Sequence, residues 1–174
     1  MVITIDPVPV VNAGPDQSIC ANNPTLQLNG FVGNAAGAIW SGGAGNYVSG
    51  ATATATQYIP TADEIAAGSI TFTLTSTGTT ICNAMSDQMT ITFTGAPIVD
   101  AGLDLAICAN NSAVQLNGNV TNANGGVWSG GNGAYAPANN VFAAVYTPTA
   151  AEIAAGSVTL TLTSTGNGNC SFVN

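Results

Sequence analysis

Ile70-Thr71-Phe72-Thr73-Leu74-Thr75 alternates apolar residues and threonines without a break. Successive side chains of a strand point to opposite faces, so Ile70, Phe72 and Leu74 face one way and the threonines the other. β-Branched and aromatic residues suit a pleated surface, and a period of two excludes a helix, whose apolar positions recur every three or four residues. Met89-Thr90-Ile91-Thr92-Phe93-Thr94 repeats the pattern after a Gly/Thr/Asn-rich loop that carries Cys82. A sheet with one apolar face must bury that face against a second layer.

Working outward, Leu26-Gln27-Leu28-Asn29 alternates in the same way, and Gly37-Ala-Ile-Trp40 reads as a short strand ended by Ser41-Gly-Gly-Ala-Gly45. Pro7 to Pro15 reads as a linker turning into an edge strand, because proline is tolerated at edges and strand starts but not in central strands. Asp16 to Cys20 continues that edge, and Ala21-Asn-Asn-Pro24 is turn chemistry. Ala51 to Tyr58 is a Thr/Ala strand whose counterpart, Val141 to Tyr146, is bulkier, which points to an edge position or to cores that differ between the two copies. Between Tyr58 and Ile70 lies one predicted helical turn. Thr61 and Glu64 have the spacing of a capping box, and Gly68 sits where a C-terminal cap belongs. The predicted core is Leu26, Leu28, Trp40, Tyr58, Ile70, Phe72, Leu74, Ile91 and Phe93, with their counterparts 88 positions on.

That offset of 88 relates the whole chain to itself. Cys20 falls on Cys108, Trp40 on Trp128, Tyr58 on Tyr146, Glu64 on Glu152 and Cys82 on Cys170, and Ile19-Cys-Ala-Asn-Asn23 recurs as Ile107-Cys-Ala-Asn-Asn111. A domain-sized period means tandem modules. The expected fold is therefore all-β, two tandem antiparallel β-sandwiches of two sheets each, which the resemblance given below makes immunoglobulin-like (PKD-like). Residues 7–95 make the first repeat and residues 96–174 a second repeat that lacks its closing strand. The phase matters, because Met1-Val2-Ile3-Thr4-Ile5 aligns with Met89-Thr-Ile-Thr-Phe93, the closing strand of the first repeat. Residues 1–6 are thus expected to close a module other than their own. That module is the second one of a neighbouring copy, or the preceding one in a single continuous polypeptide.

Composition excludes several classes of function. The 174 residues include no Lys, Arg or His, against eight Asp and Glu. Nucleic-acid binding and attraction to anionic membranes both rest on cationic side chains that this chain does not have. The same absence removes Ser-His-Asp and Cys-His nucleophiles, Schiff-base chemistry and the usual zinc ligand sets, so no catalytic residue and no enzyme activity are expected. No window approaches the ~18 consecutive apolar residues of a spanning helix, so membrane insertion is not expected. The first residues lack a basic n-region and a continuous apolar h-region and are not a signal peptide.

Four cysteines at equal spacing, Cys20, Cys82, Cys108 and Cys170, read as structural disulfides and an oxidising compartment. Pairing within each repeat, Cys20–Cys82 and Cys108–Cys170, is the expectation. The poles of a Greek-key sandwich argue against it, because a head-to-tail array would bring Cys20 to Cys170 instead. Trp40, Trp128, Tyr58 and Tyr146 read as core residues, the tyrosines with tethered hydroxyls, and Glu64 as a cap. No metal site is assigned. Calcium is the one cofactor weighed, because Asp16 and Asp104 sit in Ala-Gly-Pro-Asp and Ala-Gly-Leu-Asp turns, but no contiguous run of ligands accompanies them. Asn110-Asn-Ser112 and Asn119-Val-Thr121 match the glycosylation pattern by composition alone.

Val11-Asn-Ala-Gly-Pro-Asp-Gln17, Trp40-Ser-Gly-Gly43 and Leu74-Thr-Ser-Thr-Gly78 resemble segments of PKD-like and immunoglobulin-like repeats. Together with Ile-Cys-Ala-Asn-Asn, Ala-Asp-Glu-Ile-Ala-Ala-Gly and Ser86-Asp-Gln-Met-Thr-Ile-Thr92, they are similar to the repeats of very large Bacteroidetes cell-surface adhesins, including gliding-motility adhesins exported by the type IX secretion system. The resemblance covers the whole chain. It implies a secreted, extracellular structural repeat of a surface fibre or adhesin stalk. Its expected partners are copies of itself or adjacent repeats, head to tail. The alternative is a calcium-dependent or glycan-binding adhesin module using loops such as Ser41 to Gly45.

Overall fold

A computed structural model describes residues 1–79 and 81–174. The chain is all-β apart from two six-residue helices, and it divides into two compact units, Met1–Thr94 and Gly95–Asn174.

In the first unit the elements run β1 (Val10–Asn12), β2 (Gln17–Cys20), β3 (Leu26–Asn29), β4 (Phe31–Gly33), β5 (Gly37–Ser41), β6 (Asn46–Tyr47), β7 (Ala55–Ile59), α1 (Ala62–Ala67), β8 (Ser69–Thr77) and β9 (Ser86–Thr94). A four-stranded sheet has the order β2-β9-β8-β5, a three-stranded sheet has the order β3-β7-β6, and β1 pairs with β4. Four strands facing three is the division of the immunoglobulin sandwich. The alternation read from the sequence sets the register. Ile70 stands opposite Ile91, Phe72 opposite Met89 and Trp40 opposite Leu74. These residues meet Leu26, Leu28 and Tyr58 from the other sheet in one buried cluster. Phe72 is its hub, with Trp40 and Tyr58 both edge-on to it, at centroid distances of 6.5 and 4.7 Å.

Three expectations change here. β7 lies between β3 and β6, so it is not an edge strand, and residues Ala51 to Thr54 lie outside it, as a turn and a bend. β2 pairs with β9 in parallel, so the sandwich is not wholly antiparallel. Phe93 is only half-buried, because it lies near the end of β9.

Helix α1 forms as its sequence requires. Thr61 accepts a hydrogen bond from the Glu64 N–H, the Glu64 side chain reaches back to the Thr61 N–H, and Gly68 ends the helix at φ 83°, a conformation natural to glycine.

The second unit contains β10 (Ile98–Asp100), β11 (Val114–Gln115), β12 (Asn119–Thr121), β13 (Gly125–Ser129), β14 (Ala134–Ala136), β15 (Val145–Thr147), α2 (Ala150–Ala155) and β16 (Thr161–Thr165). Its three-stranded sheet, β11-β15-β14, matches the first unit, and α2 has the same capping box, from Thr149 and Glu152 to Gly156. The other sheet retains only β13 and β16. Leu116, Trp128, Tyr146 and Leu162 form its buried cluster. Phe142 packs against that cluster where the first repeat has Thr54, so the unequal bulk noted in the sequence reflects differing cores.

Candidate functional site

In the first unit β9 is held from both sides. It pairs with β8 on one side and β2 on the other, and Met89 and Ile91 are fully buried beneath it. Two carboxylates fix it to the preceding turn. The Thr90 N–H donates to Asp16 Oδ1 at 2.7 Å, and Asp87 Oδ2 accepts from the Ala13 N–H at 2.8 Å. Asp16, weighed as a calcium ligand, therefore serves a backbone amide.

In the second unit the segments that match the neighbours of β9 differ from those of the first. Ser157–Leu160, which match the first half of β8, are not in a strand, and neither are Leu105–Cys108, which match β2. A strand persists only where its N–H and C=O groups find a ladder, and among the described residues these segments join none. A groove of 820 Å³ results, lined among others by Ala101, Leu105, Ile107, Leu116, Val158 and Leu160. Leu105, Ile107 and Val158 are 58, 47 and 36% exposed, and Leu160 is half-buried. The expectation that Val158 and Leu160 lie in a sealed core is thus corrected, because among the described residues no strand covers them as β9 covers Ile70 and Phe72. Among the described residues Asp104, the counterpart of Asp16, accepts no hydrogen bond.

The predicted assembly strand is solvent-facing. Met1, Val2, Ile3, Thr4 and Ile5 belong to no strand, and all five are exposed, Ile3 to 73%.

The cysteines separate into two kinds. Cys20 and Cys170 are disulfide-bonded, whereas Cys82 and Cys108 are free thiols. Pairing within each repeat is therefore not what forms. Cys20 stands opposite Thr94 at the far end of β9, while Cys82 precedes the start of β9 at Ser86. Nine strand residues put about 26 Å between those ends, against a limit of about 7 Å for bridged Cα atoms. Cys82 Sγ instead lies 3.8 Å from the Asp6 carbonyl and 3.7 Å from that of Pro7.

The remaining polar candidates hold loops. Tyr58 is buried, and its hydroxyl donates to Glu64 Oε1 at 2.8 Å while accepting the Gly45 N–H; the Ala44 N–H donates to the same Glu64 oxygen. A Cβ on Gly43, at φ 73°, would collide with that hydroxyl. Burial pushes the Glu64 carboxyl up, but the N–H groups of Thr61 and Ala44 and the hydroxyls of Tyr58 and Thr61 outweigh it and hold it below the usual carboxylate range. Burial and the bond to Glu64 push Tyr58 above the usual phenol range. The second unit repeats the network, with Asn132, Tyr146 and Thr149 around Glu152. The N–H groups of Thr149 and Asn132 bring Glu152 down to about 2. Trp40 and Trp128 are core plugs, each donating its indole N–H to a carbonyl, of Thr54 and Phe142 respectively. Among the described residues no three of His, Cys, Asp or Glu gather as metal ligands, and no helix is long and apolar enough to cross a membrane.

The Asp16–Thr90 bond was not foreseen from sequence, whereas the groove follows from the closing strand that the second repeat was expected to lack. The signal available for that bond was the Ala-Gly-x-Asp phrase, present in both repeats.

No protein-family model matches the sequence, and no curated protein matches it. Among solved structures, that of protocadherin gamma B2 extracellular cadherin domains 3–6 aligns with 95% of this chain and 45% of its own, at 12% identity and a TM-score of 0.39. The chain spans less than half the length of that structure, and a likeness at this level carries no argument about activity or partners.

Proposed function

We propose that the chain is a non-catalytic extracellular structural module of a surface fibre or adhesin stalk, lengthened head to tail, of the kind found in the large adhesins its repeats resemble. The observation that carries this reading is the use made of the polar side chains. Glu64, Tyr58, Asp16 and Asp87 are each engaged in holding a loop or a strand of their own sandwich, and the Glu64 network recurs around Glu152. What has been multiplied is a scaffold.

Disulfide sulfurs at Cys20 and Cys170 suit an oxidising compartment outside the cell. A surface of threonine, serine, asparagine and carboxylate keeps such a module soluble without cations. The ligand-binding alternative loses support in the Ser41 to Gly45 loop, whose N–H groups at Ala44 and Gly45 are already bound.

The test is immunogold electron microscopy of unpermeabilised producing cells with antibody to the chain. Label along surface filaments is expected. Label confined to the cell interior would overturn the reading.

A further inference from the structure

We infer that the groove of the second unit is an acceptor for residues 1–6 of a second copy of this chain, and that Cys82 of the donor and Cys108 of the acceptor then form a disulfide that locks the joint. The inference rests on the head-to-tail reading above and names its partner.

Three observations fix the occupant. The groove lies where β9 lies in the first unit, so it takes a strand with the β9 pattern, and Met1-Val2-Ile3-Thr4-Ile5 carries Met, Ile and an apolar residue at the positions of Met89, Ile91 and Phe93. Those residues are exposed and outside any strand, so docking breaks no ladder within the donor. The pairing of β9 with β8 and β2, moved by 88 positions, then gives the register. Met1 stands opposite Leu160, Ile3 opposite Val158 and Leu105, Ile5 opposite Ile107, and Asp6 opposite Cys108. Val2 takes the place of Thr90, so its N–H meets the Asp104 carboxylate as the Thr90 N–H meets Asp16. Backbone ladders of this kind give affinity, and the alternate side chains give register.

The cysteines follow from the same register. Donor Asp6 faces acceptor Cys108, and the donor's own Cys82 Sγ touches the Asp6 and Pro7 carbonyls, so the two free thiols converge. The surroundings of these thiols recur 88 positions on within the separate units: Cys20 faces Thr94, Cys170 Sγ lies 3.7 Å from the Gly95 carbonyl, and each of the two is disulfide-bonded. Closing the lock forms one S–S bond from two thiols, with loss of two protons and two electrons to a disulfide oxidant such as oxidised glutathione, which is reduced to two thiols. Because donor and acceptor surfaces differ, the contact propagates and does not close.

The test uses the whole chain and four variants: deletion of residues 1–6, Ile3→Asp, Asp104→Ala and Cys108→Ser. The chain should form linear oligomers by light scattering, and oxidised glutathione should make them resistant to denaturant without reductant, with Cys82–Cys108 peptides in the non-reduced map. Ile3→Asp, which alters only an exposed residue of the monomer, should abolish oligomers, as should the deletion. A labelled Met1–Asp6 peptide should bind the deleted chain. Asp104→Ala should weaken that binding roughly tenfold to a hundredfold, the range for a charge-assisted hydrogen bond. Cys108→Ser should retain oligomers but lose their resistance. Oligomers that survive the deletion, a peptide that does not bind, or a chain that stays monomeric would each overturn strand exchange. Those results would leave a stalk built as one continuous polypeptide intact, whereas interior label on cells would remove the stalk reading and leave the joint.

Discussion

The two repeats share their phrases, yet they fold to different degrees of completion. In the first, β8 runs for nine residues and is flanked by β9 and β5; in the second, β16 runs for five and pairs only with β13. Leu160 and Val158 are as apolar as the Phe72 and Ile70 they replace, so sequence preference does not explain the loss. What differs is a neighbour. A strand is a property of the ladder it joins: among the described residues of the second unit nothing pairs as β9 does, and the counterparts of β2 and of the first half of β8 are not strands.

Several measurements would break or sharpen that comparison. The largest expected contrast is chemical and all-or-none. Alkylation under native conditions followed by peptide mapping should label Cys82 and Cys108 fully and leave Cys20 and Cys170 unlabelled until reductant is added. Four labelled cysteines would remove the distinction between the sites.

Next in size is the core. Phe72→Ala should destabilise the first unit by about 3–5 kcal/mol in denaturant unfolding, as deletion of a buried aromatic does. Leu160→Ala should have a much smaller effect, because its side chain is already half exposed to water. Equal losses would mean that the second edge is as sealed as the first. Amide hydrogen exchange reads the same difference without mutation, with Ser69–Phe72 protected and Ser157–Leu160 exchanging quickly.

The caps come third, and here the repeats should behave alike. Thr61→Ala and Thr149→Ala should each lose about 1 kcal/mol, the usual effect of removing an N-cap, measured by thermal unfolding.

The smallest effect is the acid limb. Glu64 and Glu152 both have folded pKa values below the unfolded value of about 4.3. Their stabilisation is therefore complete above that value, declines as pH falls below it, and is gone once pH passes the folded value, about 2 for Glu152. Glu152→Gln should flatten the fall in melting temperature between pH 5 and 2. An unchanged acid limb would show that the carboxylate is not held as its contacts imply.

Much of this was legible in local sequence because it depends on local physics. The capping boxes at Thr61 and Thr149 needed only residues three apart, and the inward set Leu26, Leu28, Phe72 and Leu74 needed only a period of two. The disulfide pattern was not, since equal spacing invites pairing within a repeat while the length of β9 forbids it. The use of Asp16 was also hidden, because its partner at Thr90 is 74 residues away.

The sequence by itself determined an all-β chain of two like modules without cations, and the strand pattern, Met-x-Ile-Thr-Ile/Phe, that closes one of them. Only the tertiary structure decided that β2 lies parallel to β9 and which cysteines are bonded. Side-chain alternation and caps are written within a few residues, whereas pairing depends on which segment is present to complete the ladder.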